Sequence, residues 1–138
     1  MSSSSVLLIL GIAAIFASAL AFGGRLPKAY QARSCQGRSW RHAFPSATKH
    51  EIRAFLSLFA SAFAFDDREK LKLAPEDEIL SIYRAQYPSR LQPDALELET
   101  LALDLERRHK LKLEALWKDG LTLGELFSHT LERGGTTK

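Results

Sequence analysis

Acidic residues are absent from the first fifty positions of this 138-residue chain, and the whole chain contains a single cysteine. Because Cys35 has no intramolecular partner, a disulfide-rich scaffold is excluded. Charged residues are also absent between Val6 and Phe22, where Ser18 is the only polar side chain. With its flanks, this apolar run reaches the roughly 30 Å thickness of a bilayer core when it is helical. We therefore predict a transmembrane anchor over residues 1–24.

A cleaved signal peptide is the alternative interpretation of this run, because Ala19-Leu20-Ala21 has the small-x-small form of a cleavage site. No Lys or Arg precedes the run, whereas basic residues follow it from Arg25 onward. By the positive-inside rule, this asymmetry places the carboxyl-terminal side in the cytoplasm. We expect a single-pass protein of the inner (cytoplasmic) membrane whose folded domain faces the cytoplasm.

Positive charge is concentrated just after the apolar run, and it accounts for the formal net charge of +3. Glycine and proline interrupt any helical pattern in residues 25–45, so we predict an irregular juxtamembrane linker there. Juxtamembrane cations attract anionic lipids by about 1 kcal/mol each. The rest of the chain mixes both signs, which disfavours nucleic acid as a partner. The predicted membrane-surface residues are Arg25, Lys28, Arg33, Arg38 and Arg41.

Two side chains of this linker have alternative interpretations. Cys35 is either a palmitoylation site that would reinforce the anchor or, as we prefer, an unmodified thiol. Trp40 either lies at the membrane interface or docks on the folded domain, and we favour docking.

The folded domain is expected to start after Pro45 with a strongly apolar helix. Thr48 and Glu51 have the spacing of a capping box, which is typical of a helix start. Five apolar residues at helical spacing predict its buried face: Ile52, Phe55, Leu56, Phe59 and Phe63. We interpret Phe55, Phe59 and Phe63 as ordinary core, and the lining of a lipid pocket is the alternative.

Three further helices are predicted from caps and periodicity: from Pro75 to about Tyr87, from Asp94 onward and from Thr122 onward. No segment alternates as a β-strand does. Residues 46–133 are therefore expected to form an all-α bundle of about four helices, preceded by the one transmembrane helix and followed by a flexible tail at 134–138.

Three short motifs occur in a specific order: Asp94-Ala95-Leu96, Leu111-Lys112-Leu113 and Thr122-Leu123-Gly124-Glu125. At this spacing they make residues 73–132 resemble the acyl carrier proteins, which implies a carrier-like helical bundle. In that family the position of Ala95 holds the serine that carries the phosphopantetheine group. The resemblance therefore implies a degenerate carrier without a cofactor.

The helix that starts at Asp94 resembles the acidic helix that carriers present to basic partner enzymes. Arg107 and Arg108 reverse the charge at its end, so we expect a partner that differs from the usual carrier enzymes. The predicted partner-binding residues are Asp94, Glu97, Glu99, Glu106, Arg107 and Arg108.

No catalytic constellation is evident, because no Ser, Cys or Thr stands in a nucleophile context and no glycine-rich loop joins a strand to a helix. Glu106 and His109 have the i, i+3 spacing of a carboxylate-bridged metal site, but the chain has no second Glu-x-x-His, so no metal is predicted. We predict a membrane-anchored, non-catalytic protein-interaction module with an unidentified membrane-associated protein partner and with anionic lipids at its surface. A lipid-binding or accessory protein of membrane acyl or lipid metabolism is the alternative.

Overall fold

A computed structural model of the chain describes Ser5, residues 25–86 and residues 96–135. Within these residues it contains seven α-helices, one 3-10 helix and no strand. The α-helices are α1 (Lys28–Gln31), α2 (Gly37–Ala43), α3 (Lys49–Ala62), α4 (Ile79–Gln86), α5 (Leu96–His109), α6 (Leu113–Leu116) and α7 (Leu123–Gly135), and the 3-10 helix is Asp67–Lys72. The predicted all-α class is confirmed.

Among the described residues, no helix combines the length and the apolar character needed to cross a bilayer. Apart from Ser5, the predicted anchor over residues 1–24 lies outside the described residues, as do Asp94 and Ala95. The anchor and the motif at Ala95 therefore stay predictions.

Helix α3 is the centre of the core, and its predicted start is confirmed. The Glu51 N–H donates to Thr48 Oγ1 at 3.1 Å, and the Thr48 N–H donates to Glu51 Oε1 at 3.1 Å, which completes the capping box. All five residues of the predicted apolar face are buried. The rings of Phe59 and Phe63 stack with their centroids 4.4 Å apart, and neither is exposed. The interpretation of this stripe as core is confirmed for these two residues.

The irregular linker expected over residues 25–45 is wrong, because this segment contains two short helices and packs on the domain. Leu26, Tyr30 and Trp40 are buried. Trp40 Nε1 donates to the carbonyl oxygen of Leu73 at 2.8 Å, and the N–H of Gln36 donates to the carbonyl oxygen of Leu71 at 2.6 Å. The predicted docking of Trp40 is confirmed. Burial of these side chains stabilises helical turns that proline and glycine disfavour in isolation.

Helix α4 starts later than predicted, at Ile79 rather than near Pro75. The residues before it are held in an extended pairing: the N–H of Ile79 donates to the Leu121 carbonyl at 3.0 Å, and the N–H of Leu123 donates to the Asp77 carbonyl at 2.9 Å. Because the Ile79 N–H and the Asp77 carbonyl are paired with another part of the chain, they cannot form hydrogen bonds within a helix that begins near Pro75. The helix therefore begins later.

The start of α7 confirms the helix predicted after Thr122, whose Oγ1 accepts from the N–H of Glu125 at 3.1 Å. Gly124 is required here by close backbone approach, because a Cβ at this position would lie 3.0 Å from the carbonyl oxygen of Pro75. Helix α7 continues to Gly135 and so includes the first two residues of the predicted tail at 134–138. Residues 136–138 lie outside the described residues.

Candidate functional site

Helix α5 carries the two exposed large hydrophobic residues of the described chain: Leu96 is 62% exposed and Leu103 is 59% exposed. Because they are seven positions apart, they lie on the same side of the helix. Glu99, Glu106 and Arg107 are also exposed and follow the same helical line at intervals of three and four. We call these five residues the leucine face.

The opposite side of α5 attaches the helix to the domain. Leu101 and Leu105 have no exposed surface, and Leu98 and Ala102 are half-buried against the core. The spacing of this inner stripe is the helical periodicity that predicts a helix here. Leu96 and Leu103 lie off the stripe, so they contribute nothing to core packing. Leu96 and Leu103 are not identified as surface residues by the sequence analysis, although Leu103 does not fit the helical spacing of Leu98, Leu101 and Leu105.

The predicted partner-binding residues are divided between two sides of α5. Glu99, Glu106 and Arg107 lie on the leucine face, whereas Arg108 lines a cleft on another side. Glu97 is half-buried rather than exposed, and Asp94 lies outside the described residues. The structure thus brings together half of the predicted set.

A cleft of about 590 Å³ lies between α3, α7 and the end of α5. We call it the α3/α7 cleft. Its apolar lining is Phe55, Leu58, Phe127 and Leu131, and charged or titratable residues also line it at His50, Glu51, Arg108 and His109. Burial, followed by the nearby Arg108 charge, lowers the pKa of His109 below its ordinary value. The neutral imidazole is therefore favoured, and the cleft offers an apolar surface with a polar margin.

A second cleft, of about 240 Å³, lies between α2 and α3. Four cations line this basic cleft: Arg38, Arg41, Lys49 and Arg53. Its apolar lining residues are Trp40, Ile52 and Leu71, of which only Leu71 is partly exposed, and the exposed Cys35 lies at its edge. The sequence places Arg38 and Arg41 near the membrane but does not reveal that Lys49 and Arg53 join them.

Four of the five predicted membrane-surface residues are exposed: Arg25, Lys28, Arg38 and Arg41. Arg33 differs from these four, because its Nη1 lies 2.6 Å from Asp77 Oδ2 and its guanidinium lies 4.6 Å from the ring centroid of Tyr30. Asp77 also accepts from the N–H of Ala74 at 2.7 Å, so this carboxylate attaches the amino-terminal segment to the loop before α4.

Searching the described ranges finds no group of three or more His, Cys, Asp or Glu side chains that could hold a metal ion. Comparisons of the chain with family models, with curated proteins and with solved structures found no match. The acyl-carrier resemblance of residues 73–132 therefore stays a prediction that rests on its motifs.

Proposed function

We propose that this protein is a membrane-anchored, non-catalytic interaction module, and that its degenerate acyl-carrier-like domain binds a membrane-associated protein partner on the cytoplasmic side of the inner membrane. The leucine face of α5 is the proposed contact surface. The observation that supports this proposal most strongly is the exposure of Leu96 and Leu103 on one side of a helix whose other side is already packed.

Burying an exposed leucine side chain contributes roughly 1.5–3 kcal/mol, so two leucines on one face favour association with an apolar groove. Glu99 and Glu106 flank them with negative charge, and Arg107 adds a positive charge at one end. This order of charges favours one orientation of a partner that has basic groups beside its groove. Ala95 has no hydroxyl to which a phosphopantetheine group could be attached, which favours binding without acyl transfer.

Site-specific photocrosslinking in native membranes tests the surface. We expect a photoreactive amino acid at Leu103 of the full-length chain to give one discrete crosslinked protein. The control position is Ser61, which is an exposed residue of α3 and does not belong to the leucine face. Substituting Leu96→Ser should reduce the crosslink from position 103. Equal crosslinking patterns from positions 61 and 103 would contradict the proposal.

The orientation in the membrane has its own test. Protease added outside spheroplasts should spare the domain if the basic residues after the apolar run remain in the cytoplasm. Digestion of the domain in intact spheroplasts would instead place it outside, and a shortened amino terminus would favour the cleaved signal peptide.

Lipid or acyl-chain binding is a second candidate function, and the α3/α7 cleft favours it. Its volume of about 590 Å³ is in the range of small-molecule sites, and four of its lining residues are large and apolar. Native mass spectrometry of the full-length protein should then detect a bound acyl chain that is lost in Leu58→Gln. Repeated detection of the protein without lipid would argue against this function.

A further inference from the structure

The basic cleft collects positive charge from two helices without a compensating carboxylate in its lining. Arg38 and Arg41 are three positions apart on α2, whereas Lys49 and Arg53 are four positions apart on α3, so each pair shares one side of its helix. Within residues 25–86 and 96–135, no carboxylate lies within ion-pair distance of any of the four. Four like charges around one concave surface repel one another and attract anions.

The walls of this cleft are held in place by contacts that do not involve the cations. Trp40 has no exposed surface, and its ring centroid lies 6.2 Å from that of Phe55 on α3. Its hydrogen bond to Leu73 and the hydrogen bond from Gln36 to Leu71 fix α2 on the domain. Because the two helices are already positioned, little backbone ordering is needed when an anion binds.

The chemistry of the lining favours phosphate. Three of the four cations are arginines, whose planar guanidinium groups match phosphate oxygens in a bidentate manner. A volume of about 240 Å³ is small for a whole lipid but suits a phosphate with a short organic group, and the partly buried side chain of Leu71 offers apolar contact to that group.

We propose that the basic cleft is a binding site for a phosphate-bearing anion, held by Arg38, Arg41, Lys49 and Arg53. A phospholipid headgroup and a free phosphate ester share this chemistry. The site goes beyond the proposed partner binding and does not depend on the leucine face.

Cys35 provides the reporter, because it is the only cysteine in the chain and lies exposed at the edge of the cleft. The rate of its alkylation by neutral iodoacetamide is measured on the full-length chain in zwitterionic detergent. The probes are inorganic phosphate, glycerol 1-phosphate, short-chain phosphatidylglycerol and, as the net-neutral control, short-chain phosphatidylcholine. For each variant, the alkylation rate is measured at increasing probe concentration and divided by the rate of the same variant without a probe. This ratio gives the concentration of probe that halves the rate.

We expect the phosphate-bearing anions to slow alkylation, and phosphatidylcholine to be without effect. A lipid source is indicated if phosphatidylglycerol protects Cys35 at about tenfold or more lower concentration than glycerol 1-phosphate, since about 1.4 kcal/mol then comes from the lipid context. A free phosphate source is indicated if the soluble anions protect at the same or a lower concentration than the lipid. Unchanged alkylation with every anion would overturn the proposal.

The double variant Arg41→Gln/Arg53→Gln should raise the half-protecting concentration by about tenfold or more, because it removes two charge-assisted hydrogen bonds. The matched control is Arg84→Gln/Lys112→Gln, which removes the same charge from exposed residues outside the cleft. If both double variants raise the half-protecting concentration equally, the effect comes from net charge alone, and the proposed site is rejected. Tryptophan fluorescence and circular dichroism check that all variants fold.

Discussion

The amino-terminal segment, residues 25–45, and helix α5 differ in how they are attached to the domain. The segment has little helical pattern, yet it inserts Leu26, Tyr30 and Trp40 into the core and forms an ion pair with Asp77. Helix α5 has clear amphipathic periodicity, yet it also exposes two leucines on its outer side. In this comparison, the amphipathic helix α5 leaves an apolar surface exposed, whereas the amino-terminal segment is part of the core.

The attachment of residues 25–45 affects the orientation of the domain relative to a membrane. A docked segment couples the domain to whatever precedes residue 25, so the orientation of α5 relative to a membrane is restricted if the predicted anchor is correct. A flexible linker would leave that orientation free. Weakening either attachment therefore tests the comparison directly.

Removal of the Trp40 side chain is expected to have the largest effect. Trp40→Ala should lower the free energy of unfolding by about 3–5 kcal/mol, because it deletes a large buried ring from the core. Chemical denaturation of the full-length protein measures this, with circular dichroism as the signal. Trp40→Phe keeps most of the ring but leaves the Leu73 carbonyl without its donor, so a smaller loss of about 1–2 kcal/mol is expected. A loss in Trp40→Ala no larger than that in Trp40→Phe would mean that the segment is only loosely docked.

The ion pair between Arg33 and Asp77 is the second attachment of the segment. Arg33→Met should lower the free energy of unfolding by about 1–3 kcal/mol, because it leaves a largely buried carboxylate without its cation. Lys118→Met removes one cation from a much more exposed pair with Glu125, so we expect no measurable loss there. Equal losses in the two variants would show that burial does not distinguish the pairs.

At the carboxyl-terminal end of α5, a substitution is expected to raise the free energy of unfolding rather than to lower it. Lys110 has a φ of 57°, and its N–H donates to the carbonyl oxygen of Glu106 at 3.1 Å, which is the hydrogen bond of the αL helix-ending motif. Glycine adopts this conformation without the steric cost of a Cβ, so Lys110→Gly should raise the free energy of unfolding by about 0.5–1 kcal/mol. Lys110→Ala keeps the Cβ and removes the same charge. If the alanine variant is stabilised as much as the glycine variant, the gain comes from charge and not from the backbone.

Local sequence signals predict the elements whose determinants are close together in the chain. Three such features each lie within a few helical turns, so their spacing is evident in the sequence: the capping box of Thr48, the apolar face of α3 and the inner stripe of α5. The end of α5 also has a local determinant, because the N–H of Lys110 donates to the carbonyl oxygen of Glu106 within the same helix, but it is not predicted from the sequence.

The remaining features depend on contacts between distant parts of the chain. The docking of residues 25–45 uses Trp40 and Leu73, which are 33 positions apart. The late start of α4 depends on pairing with Leu121 and Leu123. The basic cleft needs α2 to lie beside α3 before Lys49 and Arg53 can join the two arginines. None of these has a periodic pattern, so tertiary packing alone produces them.

The smallest effect is expected at His109, where α5 reaches the α3/α7 cleft. Its pKa is lowered by burial and by Arg108, so the folded state binds a proton less readily than the unfolded chain does. The stability contributed by the neutral imidazole is fully present above the unfolded-state value of 6.5 and is lost as pH falls through the interval down to the lowered pKa. His109→Gln cannot gain that proton, so its free energy of unfolding should fall less than that of the wild type between about pH 7 and about pH 5. His42→Gln, at an exposed position of the amino-terminal segment, is the matched control. If the free energy of unfolding of His109→Gln follows the same pH dependence as that of the wild type, the His109 imidazole is as accessible to water in the folded protein as in the unfolded chain.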